Sequence, residues 1–412
     1  MEQLILTKTD YEYNLNAIKS LGAAFFFYAG SYSVKPIFRT LGLGSMESVG
    51  ALCFYIIWAI HIYRALCIGT KLKLSLFLKI VFWDLAFVFI LYINKVLFPN
   101  TAQYYAEYMM FFRQIVLVFI PCGVLISQVN DFSEAFKILR RYAWYGSIIM
   151  MVSLCFGYLS YWDYQYWGVQ LSPFILILAC SYVETRKHTD LILAIIDTAL
   201  LMLGGRQSLV VVVMGLLLLY IFNNRNKSVK MLVIVSVVTV ASVMLVSGAY
   251  ITIFQVINSI FNSMGIYMEA LERIASGNMF STSTRDIIYE HSFLTIANNG
   301  SKISGLLSDR YYLRHIGQYN SWIQYPHNIY LELLIDFGSI LGLILSVVLT
   351  WKVIKVMFLY GSDDRKRIGI LICSITMVRL FVSSSFIIEG SFFIMLGLIM
   401  GMGTRFSWGK IK

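Results

Sequence analysis

The thirteen residues Pro326-His327-Asn328-Ile329-Tyr330-Leu331-Glu332-Leu333-Leu334-Ile335-Asp336-Phe337-Gly338 put a histidine and an asparagine where a long polar loop meets an apolar helix, with two carboxylates inside that helix. A helix that starts this way presents unpaired backbone N–H groups and the positive end of its dipole. Such a terminus suits an anion, for example a lipid-linked phosphate. The dipole also favours the neutral imidazole, so His327 reads as a general base beside that anion. A lone interfacial histidine is ordinarily a polar helix cap. Here Pro326 fixes the entry, Asn328 adds a donor and Glu332 lies about one turn on, and together they favour chemistry.

Three further groups could act on the same anion. Arg206 follows Gly204 and Gly205 at a turn between two apolar runs; its planar fork suits phosphate oxygens, against the plainer reading of an arginine snorkelling at the rim. Arg285 follows Ser281-Thr282-Ser283-Thr284 and precedes a predicted helix, with Asp286 and Glu290 as local alternatives for pairing. Arg310, Arg314 and His315 form a second basic cluster, read first as solvated surface and, more sharply, as substrate contacts for the two arginines. Lys79, Asp84, Arg113 and Arg379 fall inside apolar runs, where charge is costly and faces a partner or a wet cavity; structural pairs and a substrate pathway both stay open. The stretch Tyr158-Leu159-Ser160-Tyr161-Trp162-Asp163-Tyr164-Gln165-Tyr166-Trp167 reads as an interfacial aromatic belt, with sugar stacking as the alternative. There is no GxGxxG, P-loop, HExxH or CxxC arrangement, so no metal and no nucleotide cofactor is expected.

The elements that must hold these residues are membrane helices. Of 412 residues, 58% are hydrophobic and only 13% charged, with a mean hydropathy of +0.72, and apolar runs of about 20 residues recur along the chain. Such runs satisfy their backbone only as helices, since barrel strands are shorter and alternate. Twelve spans are predicted, near 19–37, 46–66, 74–94, 109–128, 142–160, 168–183, 190–205, 207–223, 231–252, 328–350, 367–387 and 389–404. The formal charge of +11 resides in alternate short loops (Lys71 and Lys73; Lys137, Arg140 and Arg141; Arg186 and Lys187; Arg225, Lys227 and Lys230; Arg365, Lys366 and Arg367; Arg405, Lys410 and Lys412). That is the positive-inside pattern, which sets orientation and does not imply nucleic acid. An even count then places both termini in the cytoplasm. The six cysteines lie in or beside apolar runs and form no disulfide framework or metal spacing.

One connection is unlike the rest. Residues 253–327 form a predicted outer-face loop with five acidic and five basic side chains, dividing the chain into helices one to nine (1–252), the loop, and helices ten to twelve (328–412). Apolar spacing predicts a helix over 265–276, and the cap candidates Ser283 and Thr284 predict another running toward Asn298. A loop of this length beside short connections is functional or disordered, and its helical patterns favour function.

The pieces resemble the O-antigen polymerase and O-antigen ligase superfamily of bacterial surface-glycan assembly. Leu203-Gly204-Gly205-Arg206-Gln207-Ser208 looks like its small-residue-plus-arginine turn, Ser281 to Arg285 like its serine-rich approach to a loop arginine, and Pro326-His327-Asn328 through Gly338 like its histidine–asparagine motif. The resemblance covers about 190–350. It departs in the second glycine, which would fall on Leu341 but comes at Gly342, and in the turn, which reads Gly-Gly-Arg-Gln-Ser where Gly-Ser-Arg-Gly is common.

The resemblance implies an all-α, GT-C-like multi-pass protein of the bacterial inner membrane with about twelve helices and one large extracytoplasmic loop. It implies a glycosyltransferase whose donor is an oligosaccharide on undecaprenyl pyrophosphate, acting at the outer membrane face without metal. Arg206 and Arg285 would hold the pyrophosphate and His327 would take the acceptor proton, with Asn328, Glu332, Arg310 and Arg314 as substrate-binding residues. A polymerase of repeat units for O-antigen or capsule is the favoured reading. A ligase transferring finished glycan to lipid A–core is the alternative, and a lipid-linked oligosaccharide flippase or other transporter is the reading from a different class. Besides the bilayer and the lipid-linked donor, a polysaccharide chain-length regulator is the partner added by family analogy.

Overall fold

Apolar runs become helices almost wherever hydropathy places them. The computed structural model describes residues 8–68, 71–161, 164–204, 206–223, 249–263, 272, 275–277, 285–316, 325–382 and 384–402. Its longer helices are α1 (Lys8–Thr40), α2 (Glu47–Leu66), α3 (Leu74–Leu97), α4 (Met109–Ser127, loosened by a π turn at Ile115–Phe119), α5 (Ala135–Cys155), α6 (Tyr164–Thr185), α7 (His188–Leu201) and α8 (Arg206–Asn223). They continue as α9 (Ala249–Ser263), α10 (Arg285–Asn299), α11 (Ile329–Ile354), α12 (Asp363–Val382) and α13 (Gly390–Met400). The sole strand pairing among the described residues is a two-residue ribbon between α2 and α3, with Cys67 opposite Leu72 and Ile68 opposite Lys71. Among the described residues five helices are long and apolar enough to cross a bilayer, Ile329–Leu359 being counted end to end across its break at Gly338, and the protein is an all-α multi-pass membrane protein. The expected ninth span, 231–252, lies largely outside the described residues, as does most of the expected helix at 265–276.

Side-chain contacts sort the loops onto two ends of the bundle. At one end Lys73 lies over the Tyr13 ring at 4.5 Å, Asn130 donates its N–H to Asn14, Arg140 pairs with Asp190 at 2.7 Å, and Arg367 reaches Glu184 and Asn223. Arg365 donates to the Val129 carbonyl there as well. At the other end Thr40 bonds the Phe156 carbonyl, Asn94 clamps Leu306, and Ser385 meets Glu332. The helices therefore alternate in direction, and the described basic loops share one end. α6 and α4 are mostly buried at the centre, whereas α2, α3 and α11 turn Leu52, Ile56, Leu85, Phe89, Ile340 and Val347 outward. Apolar surface on that scale belongs against lipid.

The tenth predicted span is not one straight helix. Gly338 stands inside α11 at φ 75°, ψ 164°, and the chain reverses there. Tyr330 and Thr350 hydrogen-bond through their hydroxyls at 2.6 Å, although 20 residues of continuous helix would separate them by about 30 Å. Arms of about 12 and 18 Å from the glycine bring those two hydroxyls together only if they fold back on each other at an acute angle. Gly342 allows the close crossing, since a Cβ there would lie 2.5 Å from the Leu333 carbonyl oxygen. α11 is thus a helical hairpin with a short arm, 329–337, and a long arm, 339–354. At about 14 Å the short arm cannot cross a bilayer alone.

Candidate functional site

The break in α11 exposes backbone groups that an apolar setting does not tolerate unpaired, and the end of the long loop satisfies them. Ser339 N–H donates to the Gly300 carbonyl, while Ser304 and Gly305 both donate to the Asp336 carbonyl. The Asp336 side chain accepts from Ser308 Oγ (2.8 Å) and from the N–H groups of Leu307 and Asp309. From the other side Asn94 on α3 brackets Leu306, accepting from its N–H and donating to its carbonyl. Residues 300–310 are therefore built into the bundle.

That anchored segment delivers Arg310 into the interior. Its guanidinium donates to both oxygens of Asp309 (2.7 and 2.6 Å), to Glu332 Oε1 (2.8 Å) and to Ser385 Oγ (2.6 Å). Ser385 in turn donates to Glu332, whose second oxygen accepts from Phe386 N–H. The guanidinium also lies over two rings, Tyr108 at 5.2 Å and Tyr325 at 5.0 Å. Arg310, Asp309 and Glu332 are all buried, which corrects the reading of Arg310 as solvated surface. A charge so placed needs partners; both terminal nitrogens have them, while Nε is buried without one. Burial raises the Asp309 carboxyl above its ordinary range, with Arg310 pulling the other way. Asp309, Glu332 and Asp336 hold oxygens within 4.8 Å of one another, and the cation lodged beside them is Arg310.

Tyr325 carries the cluster to the expected motif. Its ring lies 4.4 Å from the His327 ring, tilted by 54°, and burial pushes its phenol upward, keeping it neutral. His327 has φ 56°, a left-handed conformation uncommon outside glycine and frequent at functional sites. Asn328 is the N-cap of α11: its side-chain oxygen accepts from Tyr330 N–H (2.9 Å) and Leu331 N–H (3.4 Å). Asn328→Ala should cost about 1 kcal/mol of stability and Asn328→Asp much less, readable as the shift in the midpoint of thermal denaturation in detergent.

The structure thus joins His327, Asn328, Glu332 and Arg310 into one packed group. Arg314 stands apart, pairing with Glu107 at 2.8 and 3.0 Å over the Tyr104 ring. Arg285 is the first described residue of α10, which packs on α11. Arg206 is the first residue of α8. Of the two glycines ahead of it, Gly204 serves helix packing, for a Cβ there would sit 2.7 Å from Gly168 Cα on α6. At the two ends of the aromatic stretch Tyr158 and Trp167 are buried, and Tyr166 stacks on Tyr32 at 5.8 Å; Trp162 and Asp163 lie outside the described residues. Of the charges inside spans, Arg379 pairs with Glu389, which also accepts from Ser384 and Ser391. Lys79 reaches Gln128 at 3.4 Å, while Arg113 is exposed.

Nothing in the sequence alone singles out Asp309, Tyr108, Tyr325 or Ser385. An acid next to an arginine in a polar loop carries no signal, and Ser385 is 75 residues from its partner.

Comparison with known proteins adds one family. Residues 191–347 match the family model described as O-Antigen ligase. No curated protein and no solved structure matches the chain. The matched stretch runs from α7 into the long arm of α11 and includes Arg206, Arg285, Arg310 and His327. That stretch, which holds the histidine–asparagine cap of α11, is thus similar to the O-antigen ligase family.

Proposed function

We propose that the protein polymerises oligosaccharide repeat units carried on undecaprenyl pyrophosphate, building O-antigen or capsule at the outer face of the bacterial inner membrane. The family match over 191–347 carries this reading, because it spans all three residues the reaction would use. Twelve spans with both termini in the cytoplasm complete it, the end of the bundle that holds α11's turn facing outward. Arg206 and Arg285, each opening a helix, would hold the pyrophosphate and offset its charge as it leaves. His327 would take the proton from the acceptor hydroxyl. The donor already carries a good leaving group, so positioning and charge stabilisation supply most of the rate. A chain-length regulator is the proposed partner.

Arg310 and Glu332 take a different part from the one their residue types suggest. Both are buried and committed to each other, so they hold the short arm of α11 under His327 instead of touching substrate. Arg314, apart from that group and tied to Glu107, keeps a candidate role in substrate contact.

The family model's description favours one second reading, a ligase that passes finished glycan to lipid A–core. The surface-glycan ladder of cells lacking the gene separates the two. Loss of the ladder with a single repeat unit left on lipid A–core indicates a polymerase, whereas loss of all surface glycan with lipid-linked polymer accumulating indicates a ligase. Arg206→Ala, Arg285→Ala and His327→Ala, at matched membrane levels, should each reduce the ladder about 100-fold or more. Wild-type ladders from all three would sink the assignment.

A further inference from the structure

The Arg310 cluster is built more heavily than a loop anchor requires. Asn94, Gly300 and the Asp336 carbonyl already tie down residues 300–308. Arg310 adds a buried cation with three hydrogen-bonded partners and two aromatic faces. Desolvating that charge is expensive. What it gains beyond anchorage is a fixed position for Tyr325, the ring that separates it from His327.

We propose that Arg310 is a positioning residue: pinned by Asp309, Glu332 and Ser385, it holds the Tyr325 ring, and that ring holds the His327 imidazole. The inference rests on the proposed role of His327 for its catalytic meaning, but not for its geometry. A guanidinium over an aromatic face is attracted by the ring quadrupole and fixes the ring plane. The same ring contacts the imidazole at a 4.4 Å centroid distance. His327 sits in a left-handed backbone conformation that must be held by its surroundings. The relay needs an aromatic face at 325 but not the hydroxyl. It also needs the flat guanidinium at 310, because a lysine ammonium cannot meet Asp309, Glu332, Ser385 and two rings together.

The test is peptide-resolved carbethoxylation of the full-length protein by diethyl pyrocarbonate, followed by mass spectrometry. His327 is partly exposed, and His61 and His188 serve as internal references. Tyr325→Leu and Arg310→Lys should each change the modification rate of His327 about threefold or more, leaving the reference histidines unchanged. Both should reduce the surface-glycan ladder about tenfold at matched expression, since misplacement of a reacting group by about 1 Å has effects up to about 100-fold. Tyr325→Phe, which keeps the ring, should recover wild-type His327 reactivity. If Arg310→Lys does not give a monodisperse protein, the Tyr325 pair decides. An unchanged His327 rate in Tyr325→Leu overturns the proposal, whatever happens to the ladder. A shifted rate in a protein whose wild type makes no ladder upholds the relay and removes the polymerase reading instead.

Discussion

Gly338→Ala should destabilise the protein by about 3–5 kcal/mol and abolish the surface-glycan ladder, although it adds a single methyl group. Two costs combine. The glycine holds φ 75° with ψ 164°, a region essentially closed to residues with a Cβ, worth about 1–3 kcal/mol. The added carbon would also lie 2.5 Å from the Ser301 carbonyl oxygen and 2.8 Å from that of Lys302. Forcing a methyl group into such a contact costs about another 1–3 kcal/mol. Neither side yields easily, because the loop backbone is held by Ser339 N–H on Gly300 and by Asn94 on Leu306. Gly300→Ala separates the two costs. That glycine also has a positive φ, 56°, but nothing lies within 4 Å of its would-be Cβ, so its substitution should cost only about 1 kcal/mol. The fraction of monodisperse protein surviving a heat series in detergent, read for both variants, checks the difference. Equal losses would mean that strain alone matters and the loop contact does not.

The contrast between those glycines marks where the sequence stops being readable. Hydropathy places the spans because a run of about 20 apolar residues has few other fates, and α2, α3, α4 and α8 begin and end within a few residues of expectation. A helix running toward Asn298 after the cap-type residues Ser283 and Thr284 is legible too, and α10 spans Arg285–Asn299, the two cap candidates lying outside the described residues. The reversal at Gly338 was not. Both arms of α11 are apolar, so the pattern runs through the turn without interruption, and a single glycine in such a run is usually read as a weak helix former. The shifted glycine at 342 looked like a flaw in the motif. In the structure it is the point where one arm crosses the other. Of the candidate site, His327 and Asn328 were visible because a helix start advertises its chemistry locally. The burial of Arg310 is not legible, because two of its partners lie 22 and 75 residues away. Only the fold makes them neighbours.

Arg310→Leu should be the other severe substitution, costing about 3–5 kcal/mol, the range for stripping one partner from a buried ion pair. The loss is less in the bonds removed than in what remains. Asp309 and Glu332 would stay buried with their cation gone, beside Asp336 in the same cluster. The Asp309 carboxyl is already raised by burial, and removing the guanidinium raises it further. A carboxyl whose folded-state value exceeds its unfolded one favours folding below the unfolded value and loses that contribution as pH climbs through the folded one. The penalty for Arg310→Leu should therefore be smallest in mild acid and grow toward neutral pH. Neutralising the orphaned acids gives the decisive comparison. Asp309→Asn with Glu332→Gln in the Arg310→Leu background should recover about 1.5–3 kcal/mol, because Ser385 and Phe386 N–H still have a carbonyl oxygen at 332 to bond. The same pair in the wild-type background should destabilise, since it leaves Arg310 as the unpaired charge. A double-mutant cycle on thermal denaturation in detergent at two pH values reads all of this. Additive effects at both would show that the three side chains share no electrostatic bond. A strong coupling that does not restore the ladder would show that the charge network stabilises the bundle, while the rings of Tyr325 and His327 require the guanidinium itself.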